Sequence, residues 1–225
     1  MTDLLIKVLA SYLIGSLIGS LIVGYFRGGV DIRALGSGNA GGTNALRTQG
    51  KMFALWVMII DVGKGWAVTR LLPNFALPGV QLATTPLREW VAVACGAAAI
   101  MGHIYPIWYR FRGGKGVATL VGVLLALGSR LVLPVFMVWV VTVMLTGFVG
   151  LASITAAASV PFTVMMEEVE PFAPLLCFGI FVAVLIAITH RANISRMRAG
   201  AEPRARKLWL FGRRAGADEK AGSSS

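Results

Sequence analysis

Long apolar runs separated by short polar loops account for most of the chain. The first run covers residues 4–26, and six more cover 52–72, 90–108, 117–127, 131–149, 151–166 and 172–189. A helix needs about 20 residues to cross the hydrocarbon core of a bilayer, so the runs predict membrane-spanning helices. The run at 117–127 is short, and the one at 151–166 is marginal. We predict an all-α integral membrane protein with seven spans, or five or six if residues 117–127 form a re-entrant segment.

The composition supports a membrane protein and argues against a nucleic-acid partner. The 225 residues are 56% hydrophobic and only 14% charged, and the mean hydropathy is +0.75. Soluble domains contain about 25% charged residues, so this chain has too few to cover a surface that faces water. The net charge of +11 would suit nucleic acid, but the basic residues lie at the ends of apolar runs, where they act as orientation signals. We therefore expect no nucleic acid and a surrounding of membrane lipid.

Lysines and arginines are distributed unequally between the two sets of loops. With seven spans, one side receives the loops at 27–51 and 109–116 and the C-terminal tail, which together hold sixteen of the 21 basic residues. Cytoplasmic loops are usually the basic ones, so we predict that this side is cytoplasmic and that the N-terminus lies outside. Residues 1–198 then form a single transmembrane domain. Residues 199–225 form a basic, partly disordered cytoplasmic tail.

The loop at 35–47 combines glycines with many hydrogen-bond donors. Its candidate binding side chains are Ser37, Asn39, Thr43, Asn44 and Arg47. The glycines fit the G-x-G-x-x-G pattern of dinucleotide-binding loops, but that pattern must follow a β-strand, and here a membrane span precedes it. Hydroxyl, amide and guanidinium donors suit a phosphate group. A simple polar turn would explain the glycines but not so many donors.

A second loop places Gly113, Gly114, Lys115 and Gly116 directly before an apolar run. Glycines let the backbone approach a ligand, and a lysine beside exposed N–H groups makes an anion site. The following helix would present its N-terminus to the same anion. A nucleotide-binding loop needs Ser or Thr directly after the lysine, so we do not expect ATP. His103 lies before this loop, and the sequence leaves open whether it is a packing residue or takes part directly in the site.

A third polar cluster ends the last apolar run. If the helix continues, His190 and Asn193 lie on one face, three residues apart. By the orientation above, all three polar clusters face the cytoplasm, and this coincidence predicts one shared site. Ser153, just past a bend on the same side, could add a hydroxyl. Asp61 and Lys64 lie inside the second span, and we predict that they pair structurally, because an unpaired charge costs about 3 kcal/mol at the bilayer centre.

Three stretches in this order carry a family resemblance: GSGNAGGTNALR, GHIYPIWYRFRGGKGVAT and HRANISRMRAGAE. They resemble the cytoplasmic motifs of the bacterial acyl-phosphate:glycerol-3-phosphate acyltransferase family, a family of integral inner-membrane enzymes. The resemblance implies transfer of a fatty acyl group from acyl phosphate to the sn-1 hydroxyl of glycerol 3-phosphate. The products would be lysophosphatidic acid and phosphate, in the first acylation of phospholipid synthesis. It implies no metal and no cofactor, and makes a cytoplasmic enzyme that produces acyl phosphate a natural neighbour.

Carried over by position, the central residues of such a site are Ser37, Arg47, Lys115, His190 and Asn193. Thr43 and the 113–116 backbone would also bind phosphate. Gly150 stands where the family often has serine, which makes Ser153 the candidate hydroxyl. His190 could act as a base or as a phosphate binder, and the sequence leaves both roles open. It equally leaves open which substrate phosphate the 113–116 loop holds, the acyl-chain preference and the oligomeric state.

Two other classes of function compete with an enzyme. A transporter of phosphate esters or other organic anions also needs basic residues in broken helices, but transporters place their site near the bilayer midplane between repeats, and no repeat is visible. A scaffold would not need three donor-rich glycine loops. Acyltransferases that attack thioesters use a histidine with an aspartate five positions later. The corresponding residues after His103 and His190 are Trp108 and Ser195, which argues for a donor other than a thioester.

Overall fold

The computed structural model describes residues 2–76 and 85–212, and within these ranges all regular structure is helical. The all-α prediction is confirmed for this part of the chain. Ten α-helices follow in chain order: α1 Thr2–Gly15, α2 Gly19–Phe26, α3 Gly42–Gln49, α4 Lys51–Leu71, α5 Thr85–Ile104, α6 Val117–Leu127, α7 Ser129–Thr146, α8 Val149–Met166, α9 Phe172–Thr189 and α10 Arg191–Arg198.

Five of the described helices are long and apolar enough to cross a membrane: α4, α5, α7, α8 and α9. The first apolar run, expected as one span, is broken instead. Its halves α1 and α2 are bent by 46° and would together make a sixth span. Helix α6 has only 11 residues, about 16 Å at the α-helical rise, or half of the hydrocarbon thickness.

Small residues bring the inner helices into close contact. A Cβ on Gly65 of α4 would lie 2.3 Å from the carbonyl oxygen of Thr119 in α6. A Cβ on Gly122 of α6 would lie 2.0 Å from the carbonyl oxygen of Val62 in α4. Helices in lipid associate by close packing rather than by hydrophobic driving force, so these two glycines explain why the short α6 lies directly against α4.

The helix ends gather at two opposite ends of the bundle. Arg70 at the end of α4, Arg88 near the start of α5, Leu127 at the end of α6 and Pro171 before α9 line a common cavity at one end. The loops at 35–47, 105–116 and 190–198 lie at the other end. Helix α6 therefore connects the same two ends as α4 and α5, although it is shorter than both.

The described part of the tail folds back onto the turn between α7 and α8. The amide of Ala205 donates to the carbonyl of Gly147 at 2.7 Å, and the amide of Leu210 donates to the carbonyl of Met144 at 2.9 Å. The Arg204 guanidinium lies 4.2 Å from the ring centre of Trp209. These bonds satisfy carbonyls that the end of α7 leaves without helical partners. Residues 213–225, the rest of the tail predicted to be partly disordered, lie outside the described residues.

Candidate active site

Asn44 organises the first polar loop from within. It is buried, and its Nδ2 donates to the carbonyls of Ile32 at 2.9 Å and of Leu35 and Asn39 at 3.0 Å. Its Oδ1 accepts from the amide of Ser37 at 3.0 Å. Because both ends of the amide group are engaged by the backbone, Asn44 shapes the loop and does not offer a donor to a ligand.

The other candidates of this loop lie at its surface. Ser37, Thr43 and Arg47 are exposed, and Asn39 is half-buried. Among the described residues, no hydrogen-bond partner is found for the hydroxyls of Ser37 and Thr43 or for the Arg47 guanidinium. The first loop is therefore internally rigid, with several donors facing outward.

Arg33 connects the first loop to the second. Its Nη1 donates to the carbonyls of Tyr109 at 3.3 Å and Arg112 at 3.1 Å, while its Nη2 pairs with Asp31 at 2.7 Å. The hydrogen bonds and charge of Arg33 lower the pKa of the Asp31 carboxyl. This link could not be predicted from the sequence, because several arginines in these loops are equally compatible with it.

Gly113 and Gly114 of the second loop bond to the end of α5, whereas Gly116 leads into α6. The amides of Gly113 and Gly114 donate to the carbonyls of Ile104 at 3.2 Å and His103 at 3.0 Å, so they hold the end of α5 and are not free for an anion. The N–H groups that the loop leaves for a ligand are those of the first turn of α6, which begins where the amide of Leu120 donates to Gly116 at 2.8 Å.

Lys115 is fixed by a chain of polar contacts. Its ammonium donates to Oδ1 of Asn193, and Nδ2 of Asn193 donates to Glu202 at 2.6 Å. The other carboxylate oxygen of Glu202 accepts from Nε of Arg196 at 2.6 Å. Glu202 thereby sets which way the Asn193 amide faces, so that its oxygen points to Lys115.

Glu202 was missed as a site residue, although it closes the third motif. The signal was present, since Glu202 is the single acidic residue between Arg191 and Asp218 in a strongly basic segment. An isolated carboxylate among arginines is held there by ion pairing, and its side chain is only 8% exposed.

Burial and neighbouring cations lower the pKa of Lys115 to about 8. Burial is the largest cause, and Arg196 comes second. Glu202 opposes the change, and Arg47 adds to it. The contact between the first and second loops is made by Arg33, and the charge of Arg47 adds a smaller electrostatic contribution at Lys115.

His190 lies beside Lys115 as a neutral ring. Burial, and then the charge of Lys115, lower its pKa to about 4. Its Nδ1 lies 2.9 Å from the carbonyl oxygen of Ile186. Because a carbonyl can only accept, Nδ1 carries the hydrogen and Nε2 keeps a free lone pair. In this state Nε2 of His190 is able to accept a hydrogen bond from a ligand.

Two further candidates lie behind the site. His103 is only 2% exposed and contacts Lys64, with Nδ1 and Nζ 3.0 Å apart. Lys64 also pairs with Asp61 at 2.8 Å, which confirms the predicted pairing inside the span.

Ser153 donates to the carbonyl of Val149 at 3.0 Å within α8. Gly150 packs against Asn193, since a Cβ there would lie 2.8 Å from Nδ2.

The comparisons with known proteins agree on one family. The model of the family "Glycerol-3-phosphate acyltransferase" matches residues 5–200. A glycerol-3-phosphate acyltransferase of Synechococcus sp. (strain JA-2-3B'a(2-13)) is 40% identical over 209 residues, which are 93% of this chain and 98% of that protein. The chain belongs to the glycerol-3-phosphate acyltransferase family. The family match spans the first two polar loops and the His190–Asn193 cluster.

Solved structures support the same family at the level of the fold. The crystal structure of PlsY, an integral membrane glycerol 3-phosphate acyltransferase, in its glycerol 3-phosphate form, has 33% sequence identity and a TM-score of 0.78. It covers 89% of this chain and 94% of its own. The lysophosphatidic acid form of PlsY gives the same identity and coverage, with a TM-score of 0.76. The chain is accordingly an acyltransferase with several membrane helices, and its resemblance to the acyltransferase family is confirmed.

Proposed function

We propose that the chain transfers a fatty acyl group from acyl phosphate to the sn-1 hydroxyl of glycerol 3-phosphate. The products are lysophosphatidic acid and inorganic phosphate, as in the first acylation of phospholipid synthesis. The observation that carries the proposal is Lys115, held by Asn193 next to the neutral ring of His190 and within the field of Arg47. Related proteins named for glycerol-3-phosphate acylation, and a structural neighbour in its glycerol 3-phosphate form, support the acceptor substrate.

The acyl donor is acyl phosphate rather than a thioester. A mixed anhydride is already activated, so no covalent serine or cysteine intermediate is needed. The histidine and aspartate pair of thioester-dependent acyltransferases has no counterpart after His103 or His190. Both proposed substrates carry phosphate, which accounts for a site with Arg47, Lys115 and the first turn of α6 at the membrane surface.

The reaction is a direct displacement at the acyl carbon. The primary hydroxyl oxygen of glycerol 3-phosphate forms the new C–O bond, the bond between the acyl carbon and the phosphate oxygen breaks, and phosphate leaves with the electron pair. Lys115 and the N–H groups at the start of α6 stabilise the negative charge that develops. Arg47, Ser37 and Thr43 bind and orient the acceptor phosphate.

His190 takes up the hydroxyl proton as the new bond forms. Its pKa of about 4 leaves the ring neutral at pH 7, and the free lone pair on Nε2 can accept from a hydroxyl but cannot donate to a phosphate. A pH–rate profile of His190→Asn tests this role. Turnover should fall about a hundredfold, within the range for losing a general base. Near-normal turnover with only a raised KM for glycerol 3-phosphate would instead make His190 a phosphate binder.

The topology belongs to the same proposal. Seven crossings, with the N-terminus periplasmic and the C-terminus cytoplasmic, put the site on the cytoplasmic face of a bacterial inner membrane. Helix α6 supports a seventh crossing because its two ends lie at opposite ends of the bundle. Residues 1–198 would be one catalytic domain, with residues 199–225 as a cytoplasmic tail. Accessibility labelling of single cysteines at Lys51 and Glu167 in intact cells tests the orientation, because the two positions should lie on opposite sides.

An assay of the purified protein with acyl phosphate and radiolabelled glycerol 3-phosphate tests the activity. Lysophosphatidic acid should form with acyl phosphate and should not form with acyl-CoA or acyl carrier protein as donor. A transporter of phosphate esters is the alternative. It would be favoured by uptake of labelled glycerol 3-phosphate into proteoliposomes without any acylated product.

A further inference from the structure

A buried polar network lies in the bundle behind the proposed site. Asp61 and Lys64 of α4 and His103 of α5 are 0%, 8% and 2% exposed. The Lys64 ammonium contacts three acceptors: Asp61 Oδ1 at 2.8 Å, the carbonyl oxygen of Leu17 at 2.7 Å and Nδ1 of His103 at 3.0 Å. The chemistry proposed above assigns no role to this network, although charges inside a span are costly and usually serve a function.

Lys64 determines where the His103 ring carries its hydrogen. An ammonium has three hydrogens and no lone pair, so each of its three contacts requires an acceptor. Nδ1 of His103 must therefore be unprotonated, and the neutral ring carries its hydrogen on Nε2. The alternative donor contact, from Nδ1 to Asp61, measures 3.4 Å, longer than the 2.7–2.9 Å of charge-assisted hydrogen bonds.

The opposite edge of the His103 ring supports the loop that carries Lys115. A Cβ on Gly114 would lie 2.1 Å from Nε2 of His103, so the ring packs directly against the Gly114 backbone. The carbonyl of His103 also accepts from the Gly114 amide at 3.0 Å. Ring and backbone of one residue thus fix the position of the peptide that precedes Lys115.

The same network reaches the break in the first span. Oδ1 of Asp61 accepts from the amide of Gly19, the first residue of α2, at 3.1 Å, and the Leu17 carbonyl that Lys64 contacts lies within the break. The break leaves these two backbone groups without hydrogen-bond partners in their own helix, and side chains of α4 supply the partners. The network joins the broken span, α4 and the Lys115 loop.

We propose that Lys64 is a positioning residue for the acyl transfer. It holds His103 in the Nε2–H tautomer, and the ring in that state keeps the 113–116 loop in place so that Lys115 meets Asn193. Asp61 neutralises Lys64 within the span. This inference rests on the proposed function for its kinetic consequence, whereas the tautomer of His103 can be measured without any substrate.

Nitrogen NMR of ¹⁵N-histidine-labelled protein at pH 7 tests the tautomer. The chain has only two histidines, and His190→Gln leaves a single imidazole to assign. We expect His103 with the hydrogen on Nε2 and His190 with the hydrogen on Nδ1, two opposite tautomers in one spectrum. A His103 ring protonated on Nδ1 would overturn the proposal.

The kinetic test removes both charges of the pair at once, because Lys64→Met alone would strand a buried carboxylate. We expect Asp61→Asn/Lys64→Met to lower kcat/KM about tenfold, the lower end for losing a group that orients an active-site residue, and to mix the His103 tautomers. The matched control is Asp3→Asn/Lys7→Met, which removes another buried pair, 2.9 Å apart, from α1. The control should keep its kcat/KM within about twofold, as expected for a distant site.

Each outcome decides the proposal. Equal losses in the two double variants, or an unchanged kcat/KM in Asp61→Asn/Lys64→Met, would overturn the role of Lys64. If that variant does not fold, Asp61→Asn is used, because Lys64 can still donate to His103. A switch of tautomer in Asp61→Asn would contradict control by Lys64. If the wild-type protein forms no labelled lysophosphatidic acid from radiolabelled glycerol 3-phosphate, the proposed function is refuted, whereas the tautomer result still stands.

Discussion

The first polar loop and the Lys115–Asn193–Glu202 chain contribute to one site in opposite ways. Ser37, Thr43 and Arg47 are exposed side chains on a loop that Asn44 makes rigid from within. Lys115 and Asn193 are already bonded to protein partners, with Glu202 behind them. Donors that point into solvent suit a substrate that arrives from water, whereas preorganised donors suit charge that develops during reaction. We therefore assign binding mainly to the first region and transition-state stabilisation mainly to the second.

The largest effect should come from the second region. Lys115→Ala removes the ammonium that, in the proposed reaction, stabilises the developing negative charge, and we expect kcat to fall by about two orders of magnitude or more. The measurement is steady-state turnover with acyl phosphate and glycerol 3-phosphate at pH 7. Lys51→Ala, which removes an exposed lysine at the start of α4, should leave kcat unchanged. Retained turnover in Lys115→Ala would remove the basis for separating the two regions.

Glu202→Gln tests whether preorganisation itself matters. The substitution keeps the shape but removes the charge that orients Asn193 and Arg196, a hydrogen-bonded charge contributing about 2 kcal/mol. We expect kcat to fall about thirtyfold with little change in KM. Glu167→Gln, at an exposed carboxylate after α8, is the control. A rise in KM alone would mean that the second region only binds substrate.

How much of this site could be predicted depended on the kind of interaction. The apolar runs indicated the helices because partition into lipid depends on composition averaged over many residues. The unequal distribution of basic residues predicts that the loops of Lys115, His190 and Asn193 share one side of the membrane, and in the structure Lys115 and Asn193 are in contact. The break at residues 16–18 was invisible, since Ser16, Leu17 and Ile18 are compatible with a continuous span. Its stabilising partner, Lys64, lies 47 residues away.

Hydrogen-bond direction was the other property that the sequence did not reveal. The amides of Gly113 and Gly114 were expected to face an anion, but they turn back to the end of α5. Glycine content shows that a backbone can approach a ligand, not which way its N–H groups point. His103 was likewise an undecided candidate until its two ring edges were seen to contact Lys64 and Gly114.

Arg47→Ala tests the first region. Because the guanidinium is exposed and has no partner among the described residues, its loss should leave the fold intact and remove one charged contact to substrate. We expect KM for glycerol 3-phosphate to rise about tenfold, equivalent to about 1.4 kcal/mol, with kcat nearly constant. Arg27→Ala, another exposed arginine at the same end of the bundle, serves as the control. A fall in kcat at constant KM would contradict a binding role.

The smallest effect, a shift in pH dependence, links the two regions most directly. If protonated Lys115 is required, log(kcat/KM) should be level below pH 8 and fall as pH rises through the pKa of about 8. Arg47 lowers this pKa and Glu202 raises it, so Arg47→Ala should move the alkaline limb to higher pH and Glu202→Gln to lower pH. Profiles of kcat/KM between pH 6 and about 10, spanning both sides of that pKa, measure both shifts. If the alkaline limb moves in the same direction in Arg47→Ala and in Glu202→Gln, then the charges of these two residues do not act on Lys115 with opposite sign.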